Sequence, residues 1–233
     1  MKQGFTLAEV LITLGIIGVV AALTLPPLVQ NYREQAAVTR VKKFYSVFSQ
    51  AYAMAVLENG TMDNWGLKDS VTEEDEDGVR VHTDETLKQY DKFFNIIGKY
   101  LQKAGYEPIH NTAGKNGSQN KGYIMSDGTA IVGMWLLPSQ CTEDNPDANC
   151  GNLYVHVDNK PTHDKNGNWN PNVFCFGFNP NRIYPLGTNN SQFKNYCLNG
   201  KGYHYCTGWV IMNGNMDYLH CNDLSINGKT KCR

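Results

Sequence analysis

The chain has 233 residues, with 21 Lys and Arg against 22 Asp and Glu for a formal net charge of −1 at pH 7. That balance contains no basic stripe able to follow a phosphate backbone, so nucleic acid is not indicated as a partner. The overall composition also conceals a division between an apolar amino-terminal segment and a polar, Gly- and Asn-rich remainder of about 170 residues, enough for one domain with a modest core.

Residues 1–4 form a short polar leader with Lys2 and Gly4, and Phe5 to Leu25 is an almost unbroken apolar run. At about 1.5 Å per helical residue that run is about 31 Å long, close to the hydrocarbon thickness of a bilayer. Glu9 is its one acid. A carboxylate in a membrane-spanning helix is costly and usually has a partner and a function. Three readings compete: a cleaved secretory signal with Val19-Val20-Ala21 as its processing site, a single-pass anchor, and a helix that lies first in lipid and later in a protein assembly. Flanking charge does not decide, because Arg33, Arg40, Lys42 and Lys43 follow the span and only Lys2 and the terminal amine precede it.

Gly4-Phe5-Thr6-Leu7-Ala8-Glu9-Val10-Leu11-Ile12-Thr13-Leu14 resembles the processing and methylation motif of type IV pilins and the pseudopilins of type II secretion systems. The resemblance implies that a prepilin peptidase cuts between Gly4 and Phe5 and methylates the new amine on Phe5. Glu9 then gains a partner, since a helix packed one axial step away can bring its carboxylate beside that amine and set register during assembly. The plainer alternative leaves Glu9 at the helix start, interacting with the helix dipole and local water.

Pro26-Pro27 follows, where missing backbone donors and ring clashes predict a kink or local melting. Tyr32, Val41, Tyr45, Phe48, Tyr52 and Ala55 then recur at helical spacing, widened by Val47, Ala51 and Met54, up to a stop at Asn59-Gly60. This gives a leader at 1–4, a transmembrane and assembly helix at 5–25, its amphipathic continuation at 26–60, and an extracytoplasmic domain at 61–233. Within that domain, the acidic run Glu73 to Asp77 reads as a solvated loop, with calcium as its alternative.

Asp84 is predicted to cap a helix reaching about Leu101, with Leu87, Tyr90, Phe94, Ile97 and Leu101 on one face. A polar loop follows. Tyr123 to Ser126 and Thr129 to Trp135, joined by Asp127-Gly128, read as a hairpin with a tight primed turn. Leu153 to Val157 and Val173 to Phe178 are further strands, and Trp209 to Met212 could be another. The expected fold is α+β: a long amino-terminal helix, half in the membrane and half amphipathic, packed on a small antiparallel sheet. The pilin resemblance implies the same architecture.

All seven cysteines lie between Cys141 and Cys232, as suits a domain outside the cytoplasm. Short separations suggest the pairs Cys141 with Cys150, Cys197 with Cys206, and Cys221 with Cys232, leaving Cys175 as a buried thiol; spacing alone does not choose among pairings. Zinc is the competing account, against which stands the lack of a Cys-x-x-Cys pair. Asp158, Asp164, Asn166 and Asn168 offer oxygen ligands like the start of a calcium loop, and some pseudopilins hold calcium in the sheet region. Against this, the closing bidentate acid is missing and Asn-Gly runs signal turns. No cofactor is otherwise indicated, and His156 reads as a surface strand residue.

Established catalytic motifs are absent from the sequence, so the chain is read as a non-enzyme. The leading function is a structural subunit of a type IV pilus-like or type II secretion pseudopilus filament. Its partners would be prepilin peptidase, other copies or related pilin-like subunits, and inner-membrane lipid. The alternative is a membrane-tethered or filament-tip minor pilin acting as an adhesin, because Trp169, Tyr196, Tyr203, Tyr205 and Trp209 could bind carbohydrate or peptide as readily as form core. A secreted enzyme with a conventional signal is the third possibility.

Overall fold

The structure is a computed structural model, described for residues 6–76, 78, 80–103, 106–113, 119–125, 127–158, 169–200 and 202–232. One helix, α1 (Leu7–Asn59), is assigned without interruption through Pro26 and Pro27. It ends where Gly60 takes φ 77° and its N–H closes on the Val56 carbonyl at 2.9 Å. This left-handed conformation costs glycine little because it has no Cβ.

The chain divides into two compact units, 1–36 and 37–233. In the first, the large apolar side chains from Leu7 to Tyr32 are exposed. Tyr32 therefore does not belong to the buried stripe expected of it. In the second, Ala37, Val38, Val41, Phe44, Phe48, Ala51, Tyr52 and Ala55 are buried. Their spacing of three and four residues keeps them on one face. Phe44 belongs to this face in place of Met54, which is exposed.

That face packs on a six-stranded sheet in which β3 (Tyr106–Ala113), β4 (Gln119–Met125), β5 (Ala130–Leu136), β6 (Gly151–His156), β7 (Val173–Phe178) and β8 (Ile183–Pro185) neighbour one another in chain order. Each pair is antiparallel, so the sheet is a simple meander. Phe44 and Tyr45 stand 5.4 Å from the Phe176 ring, and Tyr52 lies 5.4 Å from Phe178. Burying such a ring contributes about 1.5–3 kcal/mol. Helix α2 (Asp84–Lys103) adds Phe93, 5.6 Å from Phe178. A separate two-stranded ribbon pairs β1 (Thr72–Glu74) with β2 (Arg80–His82), so part of the acidic run is strand.

Four local expectations are corrected. Thr83, not Asp84, caps α2: its Oγ accepts from the Thr86 N–H at 3.2 Å, while Asp84 lies in the first turn. The polar stretch after α2 forms the β3–β4 pair, because backbone pairing with a neighbouring strand supplies what side-chain hydrophobicity does not. Among the described residues, 127–129 lie between β4 and β5, longer than a two-residue turn, and there the Asp127 carboxylate accepts from the Thr129 N–H at 3.0 Å.

The fourth correction concerns Trp209 to Met212, which belongs to helix α4 (Thr207–Asn213), following α3 (Asn190–Gln192) and a π-helical turn at Phe193–Cys197. Adjacent Trp209 and Val210 are both buried while Met212 is exposed, a pattern that strand alternation cannot produce. Thr207 docks the helix on β7 by accepting from the Cys175 N–H at 2.8 Å.

Candidate functional site

The amino-terminal helix begins with a reciprocal cap. Thr6 Oγ accepts from the Glu9 N–H at 3.3 Å, and Glu9 Oε2 accepts from the Thr6 N–H at 2.8 Å and from its hydroxyl at 2.7 Å. This arrangement satisfies helix-end donors in both directions. The sequence carries its signature, a threonine followed three residues later by a glutamate, which a reading of Glu9 as an unpartnered acid passes over. Among the described residues Glu9 Oε1 accepts no hydrogen bond. The cap therefore occupies one carboxylate oxygen and leaves the other for a further donor.

The remaining polar side chains of the apolar stretch are satisfied within their own helix. Thr13 donates to the Val10 carbonyl at 2.9 Å and Thr24 to the Val20 carbonyl at 2.8 Å. Such back-bonding lets a hydroxyl sit in hydrocarbon without an unpaired donor. This helix is long and apolar enough to cross a membrane, and its most apolar window is unburied. Pro26 and Pro27 lack N–H groups, so the carbonyls four residues earlier, Ala22 and Leu23, lose their usual donors. Gly4 and Phe5 lie outside the described residues.

In the second unit three disulfides join Cys141 to Cys150, Cys197 to Cys206, and Cys221 to Cys232. Cys175 is a buried free thiol on β7, and burial pushes its ionisation well above the ordinary thiol range. His156 is not on the surface: it is buried at the end of β6, with Nε2 2.9 Å from the Asp158 carboxylate. The Asp158 carboxylate accepts from the Asn172 side-chain amide. The carboxylate thus serves as a partner for neighbouring side chains. Asp164, Asn166 and Asn168 lie outside the described residues. Among the described residues, no group of three or more His, Cys, Asp or Glu side chains is placed to hold a metal.

The aromatic residues separate into two sets. Trp209 is core, stacked 4.5 Å from Phe193, with its indole N–H donating to Asn215 at 2.8 Å. Tyr203 packs against the same core. Trp169 instead stacks on Tyr154 at 4.9 Å, His204 meets both rings, and Tyr196 stacks on Tyr205 at 4.7 Å. Tyr154 does not stand out in the amino-acid sequence, because a tyrosine within a strand carries no distinguishing local signal.

Residues 27–223 match a family of unknown function (DUF6613). The chain belongs to that family. Its first 25 residues match the prokaryotic N-terminal methylation motif, so this family member carries the pilin-type start. It is also similar to the "prepilin peptidase-dependent protein D" of Escherichia coli (strain K12), 34% identical over 62 residues. That match covers 27% of this chain and 42% of the relative's length. No solved structure matches the chain.

Proposed function

We propose that this chain is a structural subunit of a type IV pilus-like or type II secretion pseudopilus filament. Prepilin peptidase cleaves it after Gly4 and methylates the Phe5 amine. The subunit is stored as a single-pass inner-membrane protein with its carboxy-terminal domain outside the cytoplasm, then assembles with other copies or related pilin-like subunits. We propose no catalytic activity. The observation that carries this reading is the methylation motif at the head of a helix whose apolar side chains are exposed and whose threonines are satisfied internally. A helix of that kind suits lipid before assembly and packing against like helices afterwards. Head-to-tail contacts that do not close produce open filaments.

Glu9 has two roles in this proposal, capping its own helix through Oε2 and receiving a neighbouring Phe5 amine through its charge. Glu9→Gln separates them, since glutamine can preserve the cap but carries no charge. Filament yield, measured by shearing and sedimentation, should fall by about tenfold or more in Glu9→Gln and Glu9→Val while both remain in the membrane fraction. Wild-type filament yield from Glu9→Gln would reduce Glu9 to a capping residue. Mass spectrometry of the mature wild-type chain should find methylated Phe5 at its start, and a start near Ala22 would indicate a conventional signal instead.

A further inference from the structure

Where β6, β7 and β8 meet the segment leading into α3, the second unit holds a cleft of about 230 Å³. Asn149, Asn152, Tyr184, Thr188, Gln192 and Tyr205 supply its polar lining, and among the described residues no Asp, Glu, Lys, Arg or His side chain lines it. A binding surface of amides, hydroxyls and phenols, without charge, suits a neutral ligand with many hydroxyl groups and gives an ionic one no counter-charge.

The cleft also has unused hydrogen-bonding capacity. Asn152 Oδ1 is buried without a hydrogen-bond partner among the described residues. A buried polar atom left unpaired is unfavourable, and a ligand hydroxyl can satisfy it. Asn149 is held in place because its Oδ1 accepts from the Gly151 N–H at 3.1 Å.

Other aromatic rings brace one member of this lining. Tyr205 stacks on Tyr196 at 4.7 Å and lies 4.6 Å from His204, which meets the Trp169–Tyr154 stack. Tyr196 and Tyr205 each precede one cysteine of the Cys197–Cys206 bridge, so a single crosslink holds both ends of their stack. Packing restricts the cleft further. A Cβ on Gly177 would come within 2.4 Å of the Tyr184 ring, and one on Gly187, at φ +79°, within 1.7 Å of the Tyr205 carbonyl. Rings held this way lose little freedom when a ligand binds.

We infer that this cleft is a glycan-binding site that takes a neutral sugar ring, with its hydroxyls on Asn149, Asn152 and Gln192 and its carbon skeleton packed between Tyr184 and Tyr205. A peptide is the weaker match. The lining is compact, and adding a strand at the neighbouring edge meets Pro185 of β8, which has no N–H to donate. This site goes beyond the filament role and stands or falls separately, because binding is read on the unassembled chain.

The test uses the full chain in a zwitterionic detergent without a sugar headgroup. It is titrated with maltotriose, cellotriose and chitotriose, and with trigalacturonate and a blocked Gly-Asn-Gly peptide as controls, each up to about 10 mM by calorimetry. At least one neutral trisaccharide should bind saturably with Kd below about 1 mM, and Tyr205→Ala and Gln192→Ala should each weaken it about tenfold. Gln192→Ala keeps the test valid if Tyr205→Ala does not fold, as judged by circular dichroism. The inference is overturned if none of the neutral sugars saturates, if trigalacturonate or the peptide binds as well as the best of them, or if a folded variant binds like wild type.

Discussion

Between Leu7 and Tyr32 the large apolar side chains lie open, Leu7 at 78% and Leu23 at 73%, whereas Val41, Phe44 and Phe48 are fully buried, although all belong to one helix. Hydrophobicity does not distinguish these stretches; the available partner does. The second unit has its own sheet, with Phe176 and Phe178 receiving the helix stripe. Among the described residues the first has no comparable surface within its unit, and the Thr13 and Thr24 hydroxyls turn back onto their own helix. One region finishes its own core; the other leaves its apolar side chains open, as the proposed filament role requires.

The sharpest attempt to break this comparison truncates one apolar residue in each region. Phe178→Ala removes a fully buried ring packed against Phe48, Tyr52 and Phe93, and should lower the denaturant-derived stability of the second unit by about 3–5 kcal/mol. Leu14→Ala removes a side chain that is 61% exposed and should leave the same transition unchanged. An equal loss from Leu14→Ala would show that the first unit contributes to the second unit's own core.

A smaller loss is expected from the Cys197→Ser, Cys206→Ser double variant, which opens a loop with a sequence separation of 9. A bridge closing so short a loop contributes about 2–3 kcal/mol. Denaturation should register this as a lower midpoint in the second unit, with membrane retention of the first unit unaffected. A shift in both measurements would join what the comparison separates.

How legible each part was in the sequence follows from the range of the interactions involved. The Val41–Ala55 face and the α2 face repeat at helical spacing, and Val173–Phe178 is a continuous apolar run, so local pattern sufficed for them. Trp209-Val210-Ile211-Met212 is also apolar and short enough to read as a strand. Its helical state depends on Thr207 docking to the Cys175 N–H, a contact 32 residues away in the chain. His156 misled for a different reason: its partner Asp158 is only two residues on, and what local pattern does not reveal is that the fold covers this end of β6. The cleft residues from Asn149 to Tyr205 were not legible as a site, because their meeting requires three strands and a loop to converge. The Thr6–Glu9 cap was legible, being wholly local.

The two helix caps sharpen the comparison at still smaller effect. Thr83 caps α2 inside the packed unit, and Thr83→Ala should cost that unit about 1 kcal/mol in chemical denaturation. Thr6→Ala removes the equivalent hydroxyl from the exposed helix and should leave that transition where it was. If Thr6→Ala lowered it as much as Thr83→Ala, the helix start would belong to the same cooperative unit as the core.

The smallest effect concerns His82, at the end of β2. Its ring lies edge-on to Tyr90 at 5.4 Å and 5.8 Å from Trp135, and burial holds its ionisation below the ordinary 6.5. A histidine with a lowered folded-state value binds a proton more readily when unfolded. Acidification through 6.5 towards the lower folded value therefore removes stability, and raising the pH above 6.5 adds none from this group. Thermal melts from neutral to mildly acidic pH should show Tm falling more steeply in wild type than in His82→Gln, with the difference between them flat on the alkaline side. Parallel curves across that interval would place the acid sensitivity of the second unit elsewhere, with the Asp127 carboxylate as the next group to examine. Burial opposes its ionisation, but hydrogen bonds from Thr129 and Lys43 outweigh that and hold its value below the ordinary carboxylate range. Stability from Asp127 is present above the ordinary carboxylate value and is lost only as pH falls towards its lower folded value, so the two groups separate by the pH at which each curve bends.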